Sequence, residues 1–445
     1  MTGWKKSLDY LRPDLATQNS ADEFCARMLV SLPRSDQRRW GAAYINGLLK
    51  TQGRKTIRRI ANTVEGTAAE QSLQQFVSKS TWEWQPVRRS LALYLEDKIR
   101  PLGWVAYPMV IPKAGVHSVG VERQFVTPPG RLTNCQRAVG LWMAAECGSA
   151  PVEWNIVLPP RWIEDSKLRS RAEIPEEMRF ESSSDLETIR SIRETICEWG
   201  VRSRPVIISQ AQDPSLMLNS MLDLGLPFVI RIGPSFRLVP KDFSISQISR
   251  QEMTVSQIAS SLGTQRKRVE WYDHLASAQR SGVAVGASVE LFLTGGRRRS
   301  GGQERISLAL LGINALRDKE SEYWLTNLRS SPLEYLVALA KLPLRVAKDQ
   351  RDISEELGIK EFEGRSFRGW HHHATLVSIA HSIRLTSVLN RAGGRVPQQV
   401  RADPGQVGPG AGAPEDEGDR LAGQAPARAV TSTSLAAVEG RASFR

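Results

Sequence analysis

The chain has little cysteine: four residues in 445, at Cys25, Cys135, Cys147 and Cys197, far apart and without CxxC spacing. That excludes a thiolate zinc site of familiar spacing and a disulfide framework, and sets a reducing cytoplasm as the expected compartment. No uninterrupted apolar run approaches the ~18–20 residues that cross a bilayer. The opening MTGWKKSLDYLRPD has no apolar segment of signal-peptide type, so no membrane association is expected. A P-loop and a nucleophile elbow are both missing, which removes the commonest phosphate-cradling and acyl-transfer chemistries. Internal repeats are missing too. Positive charge is plentiful: 60 Lys and Arg against 47 Asp and Glu, a net +13. Such a balance favours a polyanionic partner, nucleic acid before an anionic membrane surface. With 445 residues and 41% hydrophobic content, the chain can bury a sizeable core in two or three domains.

Residues 1–100 read as a helical region. Ser20, with Glu23 three places on, has the form of a capping box opening a helix through Phe24, Met28 and Leu29, and Pro33 ends it. DQRRWGAAYINGLLK, RKTIRRIANTV and SLQQFVSKSTWEWQPVRRSLALYL each carry apolar residues at helical spacing. Arg54, Lys55, Arg58 and Arg59 surround the apolar face of the second. Basic helices with interleaved aromatics suit phosphate contact; a merely solvated helical face is the bland alternative.

Residues 101–235 have an α/β rhythm. WVAYPMVI, HSVGVERQFV, QRAVGLWMAA and VEWNIVL read as strands. The helix DLETIRSIRETICEW stops at Gly200, and RPVIIS, PSLMLNSMLDLG and LPFVIRI follow as strand, helix and strand. Residues 236–330 read as a β-rich insertion containing the exposed basic loop GGRRRSGG at 295–302. In 331–392, Leu342, Val346, Ile353 and Leu357 form one helical stripe, with Pro343 in the first turn and Gly358 as a left-handed cap. Beyond 393 the composition turns to Gly, Pro, Ala, Arg and Glu without periodicity, and 393–445 is expected to be disordered.

Residues 342–373, LPLRVAKDQRDISEELGIKEFEGRSFRGWHHH, resemble the C-terminal signature LRWRIERDYQELKxELGLDHFEGRSWRGWHHH of DDE-type insertion-sequence transposases, the DDE superfamily endonuclease group. Leu342, Arg345, Asp349, Glu356, Leu357, Gly358, Phe362 to Ser366 and Arg368 to His373 match it. A second stretch, VAYPMVIPKAGVHSVGVERQ, is similar to the family's VIDDTGFPKxGxHSVGVARQ through Pro112, Lys113, Gly115, His117, Ser118, Val119, Gly120, Val121, Arg123 and Gln124. The resemblance spans about residues 20–390. It implies an RNase-H-like mixed α/β sheet with flanking helices, and an N-terminal helical region that grips DNA.

The resemblance also implies three carboxylates around two divalent ions that activate and stabilise the oxygens of an in-line phosphoryl transfer. Those positions fall on Tyr107 and Pro108, on Ser209 and on Ala347, and none is a carboxylate. Lys348 stands beside the last, where a like charge opposes a metal, and Pro108 is expected to remove a ladder donor from a central strand. No catalytic residue, metal site or cofactor is therefore expected. His371, His372 and His373 are consecutive, so on a helix they point different ways and make a poor common metal site.

The leading reading is a transposase-like protein that binds double-stranded DNA without strand transfer, recruited as a regulator and nucleoid-associated. Candidate DNA contacts are Arg54, Lys55, Arg58, Arg59, Lys113, His117, Arg123, Arg365, Arg368 and His371. One alternative is an active transposase using Mg²⁺ and displaced acids such as Asp213, Asp349 or Asp352. Another is a protein that assembles with itself or with a related transposase and modulates it.

Overall fold

Apolar spacing and local caps account for the first five helices, α1 (Leu15–Met28), α2 (Ser35–Lys50), α3 (Ile57–Val64), α4 (Glu70–Ser78) and α5 (Trp84–Ile99). The computed structural model describes residues 15–126, 130–178, 182–241, 252–293, 304–315 and 321–391; the basic loop at 295–302 and the segment 393–445 lie outside them. Helix α2 buries Tyr44, Ile45 and Leu48. Thr56 opens α3 by accepting the Arg59 N–H. Ser20 sits inside α1 rather than at its start, because nothing between Leu15 and Ser20 breaks a helix and the turns propagate back past it.

Four strands follow: β1 (Gly103–Pro112), β2 (Glu122–Val126), β3 (Arg131–Ala145) and β4 (Gly148–Val157). The HSVGVERQFV run yields a strand only from Glu122, since Gly120 takes a left-handed φ of 70° and turns the chain. Short helices α6 (Pro160–Glu164) and α7 (Ser166–Ala172) lead to α8 (Ser184–Ile192), which continues as a π-helical turn to Glu198. Strand β5 (Val206–Ile208), helix α9 (Pro214–Asp223) and strand β6 (Phe228–Ile232) complete the first part of the core. Then come β7 (Arg237–Pro240), β8 (Met253–Thr254), α10 (Val255–Ser261), β9 (Lys267–Asp273), β10 (Ala278–Leu293), β11 (Glu304–Ala315) and β12 (Ser321–Thr326).

These strands make one 12-stranded sheet in the order β2-β3-β1-β5-β6-β12-β11-β10-β7-β8, with β4 also on β3 and β9 on β10. Strands β4, β3 and β1 are antiparallel neighbours, while β5 and β6 run parallel to β1. That is an RNase-H-like α/β core. The β-rich stretch extends the same sheet: β12 bonds to β6, β11 to β12 and β10 to β11. Gly103 is required where β1 meets β5, because a Cβ there would lie 2.5 Å from Ile207 Cδ1 and 2.7 Å from the Pro205 carbonyl.

Two long helices close the chain. Helix α11 (Leu333–Asp349) carries Pro343 in its interior, ten residues past its start and not in a first turn. Leu336, Val337, Leu339, Ala340 and Leu342 form a buried stripe that extends the helix backward and outweighs the ~3 kcal/mol proline penalty. The α-helix ends at Asp349, and a π-helical turn over Gln350–Ser354 carries the chain to Gly358, whose φ of 83° is the left-handed stop.

Helix α12 (Phe367–Arg391) is enclosed from Phe367 to Ile383 except for Arg368. Its buried polar groups are bonded outward or along the helix, except His371 Nε2, which has no partner among the described residues. His373 Nε2 lies 2.9 Å from the Gly358 carbonyl and Nδ1 lies 2.9 Å from the Tyr44 hydroxyl. His381 Nε2 lies 2.8 Å from the Ser149 carbonyl and Nδ1 2.8 Å from Ser354 Oγ. A carbonyl only accepts, so in both rings Nε2 carries the proton and the hydroxyl donates to Nδ1. Each ring is thereby satisfied while neutral.

This arrangement sets an acid limit. Burial, the largest influence, pushes His373 and His381 from 6.5 down to about 4. The unfolded chain binds more protons than the folded one between those values. Stability is therefore full above pH 6.5 and lost as pH falls toward 4. We expect the melting temperature to fall by several degrees across that window, and His381→Gln, which keeps an amide donor and acceptor, to shallow the fall. An unchanged pH slope in that variant would count against a neutral buried His381.

Candidate functional site

The four positions expected to be empty of acid lie at one end of the parallel strands. Strand β5 pairs with β1 only over Trp104–Ala106, ending at Ala106 opposite Ile208. Tyr107 and Pro108 are the next residues of β1, and Ser209 is the next residue after β5. Pro108 does not break the ladder. The Trp104 N–H bonds the Pro205 carbonyl at 2.9 Å, so by two-residue alternation the Pro108 nitrogen faces the same flank, beyond the last residue of β5. The expected ladder loss is thus corrected: Pro108 pairs with Val139 of β3 on the other side. Ala347 sits in the last turn of α11, half-buried. Three residues on, Gln350 Nε2 contacts Met109 Sδ at 3.1 Å, docking this turn against β1 beside Tyr107. Tyr107 is half-buried; burial, then the Glu355 carboxylate, push its hydroxyl up from 10.

The acids that might have moved are engaged elsewhere. Asp213 caps α9, its Oδ1 accepting the Ser215 and Leu216 N–H groups at 2.9 and 3.1 Å. Asp349 is 2% exposed and faces away into the core. Its carboxylate takes two bonds from Arg345, at 2.7 and 2.9 Å, and two from Ser149, through N–H at 2.7 Å and Oγ at 2.8 Å. Asp352 pairs with Lys348 at 2.5 Å and with Arg351 at 2.7 Å. Among the described residues, no group of three or more His, Cys, Asp or Glu is placed to hold a metal ion. A divalent pair does not fit this donor set, a phenol, a pyrrolidine ring, a hydroxyl and a methyl, none of them an oxygen anion.

The candidate nucleic-acid contacts divide by burial. Arg54, Arg58, Arg59, His117, Arg123 and Arg365 are exposed, and Lys113 and Arg368 are half-buried. The loop 361–366, EFEGRS, gathers several of them. Glu363 pairs with Arg54 at 3.0 Å. The Phe362 carbonyl accepts Lys113 Nζ at 2.7 Å, and the Arg365 carbonyl accepts the Val119 N–H at 3.2 Å, beside His117. Burial, partly opposed by Glu363, takes Lys113 from 10.5 down to about 8.

Lys55 and His371 are corrected. Lys55 is 5% exposed; its Nζ is turned onto the Thr51 carbonyl and its N–H bonds Glu361 at 2.5 Å. His371 is 1% exposed and stacks on Trp84 with ring centroids 4.6 Å apart. Neither side chain has surface with which to meet a phosphate.

Sequence reasoning missed the acids that temper this basic surface, Glu361 and Glu363. It also missed Arg88, a fully buried cation bonded to Glu153, to the Trp154 carbonyl and to Thr375 Oγ1. The alternating charges of KEFEGR were a usable signal for the former. Nothing distinguishes Arg88 from its neighbour Arg89 in the sequence.

The family model described as "DDE superfamily endonuclease" matches residues 27–276, more than half of the chain. No curated protein matches it.

The bonding of Asp349 marks it as a structural group. Asp349→Ala should destabilise the fold by about 3–5 kcal/mol, because Arg345 and the Ser149 N–H are left buried without their partner. Urea unfolding followed by tryptophan fluorescence reads this, and an unshifted midpoint would contradict the assignment.

Proposed function

The chain belongs to the DDE superfamily endonucleases, and on that premise we propose that it binds double-stranded DNA without cleaving or joining strands, and acts by occupying its sites as a regulator. The observation that carries this reading is the pairing of an acid-free strand end with an exposed basic surface. Tyr107, Pro108, Ser209 and Ala347 stand where the resemblance calls for metal carboxylates. Arg58, Arg59, Arg123 and Arg365 are exposed, and Arg54 is exposed while paired with Glu363. The displaced-acid alternative is opposed by the engagements of Asp213, Asp349 and Asp352, so no Mg²⁺ is assigned. Among the described residues no helix is long and apolar enough to cross a membrane.

Binding driven by phosphate neutralisation releases counterions, so log K should fall with log salt by about 0.9 per contacted phosphate. Fluorescence anisotropy on a labelled mixed-sequence duplex should show a steep dependence. Replacing Arg54, Arg58 and Arg59 together with Ala should reduce the slope by up to about 0.9 per arginine that meets a phosphate. A flat dependence in the wild type would sink the DNA reading.

Lys113 supplies a pH signature. Its ammonium is lost as pH rises through about 8, well below the ordinary lysine range. Affinity should weaken across that step and cease to do so in Lys113→Arg, whose guanidinium stays charged. An identical pH profile in the variant would remove Lys113 from the surface.

A further inference from the structure

Among the described residues, strand β2 is the last strand on its side of the sheet path, hydrogen-bonded only to β3. Its register sets Arg123 opposite Asn134, Gln124 opposite Thr133 and Phe125 opposite Leu132. Cross-strand partners share a face, so Arg123, Phe125, Leu132 and Asn134 lie together on one side. Phe125 is 59% and Leu132 58% exposed, while Gln124 and Thr133 on the opposite face are half-buried. The usual alternation is inverted: a one-residue slip would bury the apolar pair and expose the polar one. The folded chain gains nothing from this arrangement, since burying such side chains is worth about 1.5–3 kcal/mol each.

The ribbon is placed at the acid-free strand end. Pro112, the last residue of β1, pairs with Cys135 of β3, and the Lys113 N–H bonds the Asn134 carbonyl at 2.8 Å. Residues 131–134 of β3, with β2 beside them, therefore project past the C-terminal end of β1, four residues on from Pro108. The charges around the apolar pair are mainly cationic. Arg123 shares its face, Arg131 is exposed at the tip, and the neighbouring loop carries His117 and is bonded to Arg365. The one acid of the ribbon, Glu122, is on the opposite face and accepts from Gln124 Nε2 at 2.6 Å.

We propose that this ribbon is a DNA-deforming element: Arg123 and Arg131 seat it on phosphates while Phe125 and Leu132 wedge into a base step of the duplex. A two-stranded ribbon fits a DNA groove, and apolar side chains inserted between base pairs unstack and kink the helix. Charge complementarity selects DNA over a second copy of this basic chain, which would bring like charges together. The inference rests on the DNA-binding reading above and adds to it a sequence-tolerant mode of contact.

The test uses the full chain and closed circular plasmid relaxed by a type I topoisomerase in its presence, since a wedge that unstacks base pairs unwinds DNA and shifts the linking number. Anisotropy on a labelled duplex measures binding separately. The wild type should bind and shift the topoisomer distribution. Phe125→Ala/Leu132→Ala should bind with a similar salt slope and lose the shift, and Phe125→Trp should keep it. Wild-type binding without a topological shift would overturn the wedge and leave DNA binding intact; absence of wild-type binding would overturn both. Concentration-dependent self-association abolished by the double variant, with no unwinding by the wild type, would also overturn the proposal and assign the pair to a contact between copies.

Discussion

Helix α12 is buried by bonding its polar side chains, all but His371 Nε2, to other parts of the chain, and much of the architecture follows from those bonds. An unpartnered buried polar group costs about 1–3 kcal/mol, and this helix buries four histidines with Thr375, Ser378 and Ser382. Their partners come from separate parts of the chain. His372 lies between the Val77 and Trp82 carbonyls, at 2.9 and 2.8 Å, with its ring stacked on Trp82. His373 is held by Tyr44 of α2 and by Gly358, and His381 by Ser149 of β4 and by Ser354. One helix thereby fixes the N-terminal helices, the sheet and the turn after α11 relative to one another. At His372 two carbonyls favour the cation, but burial outweighs them and takes the ring down to about 4.

The same constraint positions the exposed surface. Gly358 and the loop 361–366 are held at one end by His373 and at the other by the start of α12. That loop in turn bonds Arg54, Lys113 and the Val119 turn. The scaffold motifs thus perform a packing role that is independent of metal chemistry. None of these bonds involves residue 107, 108, 209 or 347, so the basic face does not depend on which side chains stand there.

Much of this was legible in the sequence, and the failures have physical causes. Apolar periodicity placed the N-terminal helices and most strands, and Gly358 and Gly200 marked turns because only a left-handed residue fits there. Ser20 and Pro343 misled because caps and prolines are local signals: helical turns propagate back past Ser20, and a buried stripe on both sides of Pro343 overrode it. The FRGWHHH run supplied two of the expected DNA contacts, Arg368 and His371. Neutral imidazoles, however, pack as core residues once carbonyls meet their N–H groups, and nothing in the letters reports those carbonyls. Lys55 failed for the same reason, its charge turned inward onto Thr51. The strand-end positions rested on a resemblance over short separate motifs, and the β1–β5 register puts Tyr107 and Ser209 next to each other.

The central claim is that the strand end of β1 and β5 holds DNA-binding scaffold without strand chemistry. It is tested most directly by incubating the full-length protein with an end-labelled duplex in Mg²⁺ or Mn²⁺ and resolving the strands on a denaturing gel while anisotropy confirms that the duplex is bound. The account predicts intact strands at every time point with the duplex still bound. Metal-dependent shorter or joined strands that disappear on Asp213→Ala or Asp352→Ala would contradict it and return the acids to the site.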